Sequence, residues 1–178
     1  MDIIKSKVLK LEIIGTFFII VLGSLLHFTF EWSKKFWLVG AFSAVNESTW
    51  EHLKLAVIPA LLWMLIEMKL IKERPENFFF AKTKGIYAMP FFIVLIFYSY
   101  KAILGKDFLV LDILTFMAAV ILGQIIAYQL MFWKNLPKIY NKIALIFLFL
   151  LFLSFLIFTF YPPHNFLFQD PINLNYGI

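Results

Sequence analysis

No cysteine occurs anywhere in the 178 residues. That removes disulfides, thiolate catalysis and cysteine-ligated zinc or iron–sulfur centres. Charge is scarce too: charged residues make up 15% of the chain, against about 25% in soluble domains. One arginine, Arg74, stands among 16 basic residues, and the lysines lie between apolar runs instead of forming a basic face. No nucleic-acid partner is therefore expected. Strand-like alternation, an internal repeat, a phosphate-cradling glycine loop and the protease motifs G-x-S-G and H-E-x-x-H are all missing. The first apolar run has no small-residue cleavage site after it, so it is expected to stay as a span and not to be removed as a signal peptide.

What is present is hydrophobic. Apolar residues reach 62%, with 23 phenylalanines, where ordinary domains hold roughly 45–50%. A core of this size cannot hide them all, so a lipid bilayer is expected around most of the surface. A span needs about 20 largely apolar residues, and five runs qualify: Leu11 to Phe30, Leu53 to Ile71 (with Pro59 as a kink), Ile86 to Leu104 (with Pro90 in its first turns), Phe108 to Trp133 and Ile143 to Tyr161. Helices are the natural form, because backbone groups in lipid must be satisfied within the segment. Phe36 to Val45 is too short to cross and reads as re-entrant or interfacial. The tail after Tyr161 carries three prolines that stop a helix, and Phe166, Leu167 and Phe168 are expected to hold it against the membrane. The expected fold is thus all-α: residues 1–178 form one polytopic membrane helix bundle, with about five transmembrane helices and one re-entrant or interfacial segment.

Basic residues give an orientation. Eleven fall in the N-terminal tail and the second-to-third and fourth-to-fifth connections, and five (Lys34, Lys35, Lys54, Lys101, Lys106) fall on the other side. The richer side is expected to face the cytoplasm. That puts the protein in the cytoplasmic membrane, with the N-terminus inside and the C-terminus exofacial.

All three histidines and six of the 11 acidic residues then lie on the exofacial side. The densest stretch is VNESTWEHLK, Val45 to Lys54. His27 and Glu31 are four apart, as are Glu47 and Glu51, a spacing that places each pair on one helical face if both members are helical. Facing helices that offer such pairs resemble the metal sites of helical bundles. Mixed imidazole and carboxylate donors suit a divalent metal: zinc, iron or manganese. His27, Glu31, His52 and His164 are the candidate metal ligands. Glu47, Glu51, Asp112 and Asp170 are the candidate catalytic set, with a glutamate as general base and the aspartates orienting the other groups.

Each residue also has a structural reading. Ser48 to Glu51 spells a capping box, Glu31 and Glu47 could be solvated charges, His52 could bond a backbone carbonyl, and His164 could be a loop histidine. Trp32, Trp37 and Trp50 read as an interfacial belt. His27 and Asp112 lie inside apolar runs, where an ionisable group normally faces protein. Gln124 and Gln129 are expected to join helices. Glu12, Glu67 and Glu73 are expected to pair with lysines at the inner surface.

The blocks HFTFEW (His27 to Trp32), VNESTWEHLK and YPPH…FQDP…YG (Tyr161 to Gly177) resemble those of a family of small bacterial polytopic membrane proteins known only as a domain of unknown function. The resemblance implies a multi-pass membrane protein and supplies no activity. Three functions stay open. One is an exofacial, metal-dependent membrane enzyme acting on a lipid or other amphiphilic substrate. Another is a binding or transport component for a small ligand or ion, and the third is a structural or assembly subunit with unknown protein partners.

Overall fold

A computed structural model describes residues 2–178 as six helices: α1 (Asp2–Trp32), α2 (Trp37–Gly40), α3 (Thr49–Leu70), α4 (Phe78–Leu104), α5 (Leu109–Met131) and α6 (Ile139–Phe160). Among the described residues the only β pairing is an isolated bridge between Gln169 and Tyr176. The fold is an all-α helical bundle. Four helices (α1, α4, α5 and α6) are long and apolar enough to cross a membrane.

The fifth expected span, α3, has the length but carries Glu51, Lys54, Glu67 and Lys69. Its environment explains why it tolerates them. Eight consecutive residues, Leu53 to Ala60, are all buried, so the first half of α3 has no lipid-facing side. The helix runs unbroken through Pro59.

The helices α1, α3, α4 and α5 close a ring in which each packs on the next, and α6 docks on α4 and touches α3. Short connections make neighbours in the ring antiparallel. One end of the bundle gathers the end of α1, the start of α3, the end of α4, the start of α5 and the end of α6. Hydrogen bonds tie that end together. The Trp50 N–H donates to the Leu167 carbonyl, the Asn46 amide donates to the Gly177 carbonyl at 3.0 Å, and the Thr49 and Tyr98 hydroxyls lie 3.0 Å apart. At the opposite end, the Asn77 amide donates to the carbonyls of Leu130 and Lys134, and Lys7 donates to the Leu70 carbonyl at 2.7 Å.

Close packing depends on small residues at two crossings. A Cβ on Gly85 would lie 2.5 Å from the Gly123 carbonyl oxygen, and one on Gly123 would lie 2.7 Å from that of Gly85, so α4 and α5 meet backbone to backbone. Gly23 plays the same part between α1 and α3, where a Cβ would meet the Leu55 carbonyl at 2.2 Å.

Two helices start two turns or more before their apolar runs. α1 begins nine residues before Leu11 and α4 eight before Ile86, so Pro90 sits in the middle of α4 and not in its first turns. The Phe36–Val45 segment holds one helical turn, α2. Gly40, Ala41, Ser43 and Ala44 are buried against the bundle, while Trp37, Leu38 and Phe42 are exposed. Phe166 of the tail is exposed, whereas Phe168 packs into the protein, its ring 4.7 Å from that of Trp50 and 5.6 Å from that of Phe158. Trp50 in turn packs 4.6 Å from Phe155, which gives it a packing role inside the bundle.

Candidate metal site at one end of the bundle

The start of α3 decides which polar residues can meet. Ser48 is its N-cap, with extended backbone and a hydroxyl that accepts from the Glu51 N–H. Asn46 turns the chain just before it, its side-chain oxygen accepting from the Ser48 N–H at 2.9 Å. Glu47 therefore lies outside the helix and cannot share a helical face with Glu51. The two glutamates go to different places.

Glu47 reaches across the end of α3 to two imidazoles. Its carboxylate oxygens lie 3.4 Å from His52 Nε2 and 3.9 Å from His27 Nε2. One donor atom each from His27, Glu47 and His52 falls within 4.8 Å of the others. The two imidazole rings are 5.2 Å apart, and the side chains are partly open, 29% for His27, 33% for His52 and 46% for Glu47. Hydrogen bonding to His52, helped by the nearby His27, holds the Glu47 carboxyl below the usual carboxylate range. The Nδ1–H of His52 donates to the Ser48 carbonyl at 2.9 Å, so Nε2 is the nitrogen that faces Glu47 and would offer its lone pair to a metal once its own proton is lost. Fixing an imidazole through its other nitrogen is how proteins prepare histidine ligands.

A tetrahedral ion with bonds of about 2.0–2.1 Å needs donors roughly 3.3 Å apart. The separations from Glu47, taken to its two different oxygens, are 3.4 and 3.9 Å, and the three donors lie within 4.8 Å of one another, so the side chains would draw in to close on an ion. The cluster could hold a metal.

Glu51 turns inward instead. Its carboxylate pairs with Lys54 at 2.5 Å and accepts from the Val45 N–H and the Thr159 hydroxyl. Lys54 also donates to the Gly40 carbonyl and to Thr159, both at 2.8 Å. The Ser48 half of the expected capping box forms, while the glutamate half pins the α2 segment and α6 onto α3.

The remaining candidates do not reach the cluster. Glu31 is exposed and pairs with Lys35 at 3.5 Å, one turn along the surface. His164 is exposed and stacks 4.4 Å from Tyr176. Asp170 is buried in the tail, where its carboxylate accepts from Ile172 N–H, Asn173 N–H and the Asn173 amide. Asp112 accepts from the Tyr100 hydroxyl, the protein partner that an ionisable group inside an apolar run needs. None of these four, nor Glu51, joins His27, Glu47 and His52.

Glu12 and Glu67, expected to pair with lysines at the inner surface, share one lysine inside the bundle. Lys82 Nζ lies 2.7 Å from Glu12 and 2.5 Å from Glu67, with all three side chains at most 4% exposed. Helix starts explain the difference. Because α1 begins at Asp2 and α4 at Phe78, Glu12 and Lys82 stand within helices and not at their mouths. Gln124 of α5 adds a bond to the Glu12 carbonyl at 3.3 Å, the helix-joining role expected of it.

Long apolar helices with such buried ion pairs define a class, the α-helical proteins that fit a lipid bilayer. Within it, the chain belongs to the family of unknown function DUF6512, which it matches over residues 1–178. No curated protein and no solved structure matches it.

Proposed function

We propose that His27, Glu47 and His52 bind a divalent cation, with zinc the best fit, and that the protein is a metal-dependent, membrane-embedded hydrolase acting on an amphiphilic substrate. The observation that carries this reading is the approach of three donors, from two helices and one connection, to within 4.8 Å of one another. Two imidazoles and a carboxylate leave a fourth tetrahedral position open, the pattern that catalytic zinc sites keep for water or substrate. When bound, such an ion polarises a carbonyl or phosphoryl oxygen and makes water acidic enough to attack near neutral pH.

The chain's own residues would bind and orient. Ser48 fixes the His52 tautomer through its carbonyl. Glu51 is held in its pair with Lys54 and leaves the site to Glu47. Next to His27, the exposed rings of Phe28 and Trp32 stack 5.8 Å apart, an apolar ledge that supports a substrate with an acyl chain.

Elemental analysis of protein purified without chelator is the direct test. About one zinc, iron or manganese per chain is expected, and it should be lost in His27→Ala and in His52→Ala. Added zinc should raise the melting temperature of the wild type and leave both variants unmoved. Protein without stoichiometric metal whose melting temperature ignores zinc would overturn the site. Metal that binds while ester, amide and phosphoester lipids all stay intact would overturn the hydrolase and leave a binding or transport component.

A further inference from the structure

The Glu12–Lys82–Glu67 cluster differs from the Glu51–Lys54 pair in one simple respect: its charges do not balance. Two carboxyls face one ammonium, at 2.7 and 2.5 Å, and the side chains are exposed by 4% (Glu12), 0% (Glu67) and 2% (Lys82). The carboxyls are close enough to act on each other as well as on Lys82.

Nothing nearby supplies the missing positive charge. α1 contributes Glu12, α3 contributes Glu67 and the Trp63 ring N–H, and α4 contributes Lys82. α5 offers only the Gln124 amide, which is neutral and already donates to the Glu12 carbonyl. The one charged residue of α5, Asp112, is engaged with Tyr100 near the helix's other end. The one charged residue of α6, Lys142, is exposed.

With every group ionised, the cluster would keep one net negative charge away from water. Buried charge without a counter-charge is disfavoured strongly enough that such groups neutralise instead, and two carboxyls sharing a site settle by holding one proton between them.

We propose that Glu12, Glu67 and Lys82 form a proton-binding site inside the bundle. One H⁺ from water adds to a carboxylate oxygen of the pair, giving one carboxylic acid, one carboxylate and one ammonium, with no net charge. Release returns that H⁺ to water and leaves a net negative charge between α1, α3 and α4. Those helices can relieve it only by parting to admit water or a cation. Proton occupancy and the packing of three helices are therefore coupled.

Counting protonated carboxyls tests this. Infrared spectra of the full chain in lipid nanodiscs at neutral pH should show a protonated-carboxyl carbonyl band. Glu12→Gln and Glu67→Gln should each remove one carboxyl's worth of it, because the remaining carboxylate is balanced by Lys82. Lys82→Met should add one carboxyl's worth, since both acids then lose their counter-charge. If Lys82→Met does not fold, the two glutamine variants decide alone. A band equal in wild type and both glutamine variants overturns the proposal. So does a missing band, and a melting temperature that then falls when choline replaces sodium would identify the neutralising charge as a metal cation.

Discussion

Lys54 shows how little of a residue's role is visible in its neighbours along the chain. Beside His52 and among polar residues it reads as one more exofacial cation, yet its ammonium is enclosed and its donors are used by Glu51, the Gly40 carbonyl and Thr159. Removing one partner of a buried pair typically costs about 3–5 kcal/mol, whereas an apolar replacement of both is often nearly neutral. Lys54→Met should therefore lower the melting temperature sharply, and Lys54→Met with Glu51→Leu should recover much of the loss. A thermal double-mutant cycle in detergent measures this, and a Lys54→Met variant as stable as wild type would contradict it.

The same lesson holds for the eight candidate site residues. Composition and spacing singled out the polar block around Glu47. Which of its members meet depends on where α3 starts: one turn earlier would have put Glu47 and Glu51 on one face. The Asn46 and Ser48 bonds that set this start are details of a few ångströms. Glu31 and His164 carried no signal that would have told them apart from the residues that meet in the cluster.

At the scale of elements, the far ends of the expected spans fall within two residues of the observed helix ends, while the near ends of α1 and α4 were missed by eight or nine. Hydropathy reports the stretch suited to lipid, not the stretch that is helical. Lys5, Lys7 and Lys10, like Lys82 and Lys84, are good helix formers that hydropathy discards. That single error hid the inner charge cluster. Dropping the enclosed Lys54 and Lys82 from the topology count leaves ten basic residues against four, so the imbalance behind the expected orientation persists.

Which helices touch was not legible, because helices apolar on nearly every side carry little information about the side that faces a partner. Glycine positions could have supplied some of it. Where α4 crosses α5, Gly85 and Gly123 leave no room for a side chain. Gly85→Val should cost on the order of 1–3 kcal/mol or more through overpacking, read as a lower melting temperature. Ile103→Ala, at an exposed position, should change little. Equal effects from the two substitutions would mean that α4 and α5 do not meet as described.

For the whole molecule, class was the easiest property to read and activity the hardest. Composition alone demanded lipid-facing helices, and the chain's length and apolar runs gave a bundle with several of them. The ring formed by α1, α3, α4 and α5 rests on contacts between residues far apart in sequence, which no local pattern records. α3 occupies a special place in it. Glu51 and Glu67 stand 16 residues apart, about 24 Å along the axis, and each is tied to a lysine away from water.

That placement bears on how the protein should respond to dissolved electrolyte. Mobile ions weaken attraction between charges only where they can gather around them, and going from 0.01 M to 1 M shrinks their reach from about 30 Å to about 3 Å. Neither enclosed cluster on α3 offers them a way in. The rim pairs Glu31–Lys35 and Lys101–Asp107 are open, but such pairs contribute only about 0–1 kcal/mol. Unfolding across that concentration range should therefore begin at nearly the same temperature, although the interior carries ammonium and carboxylate groups.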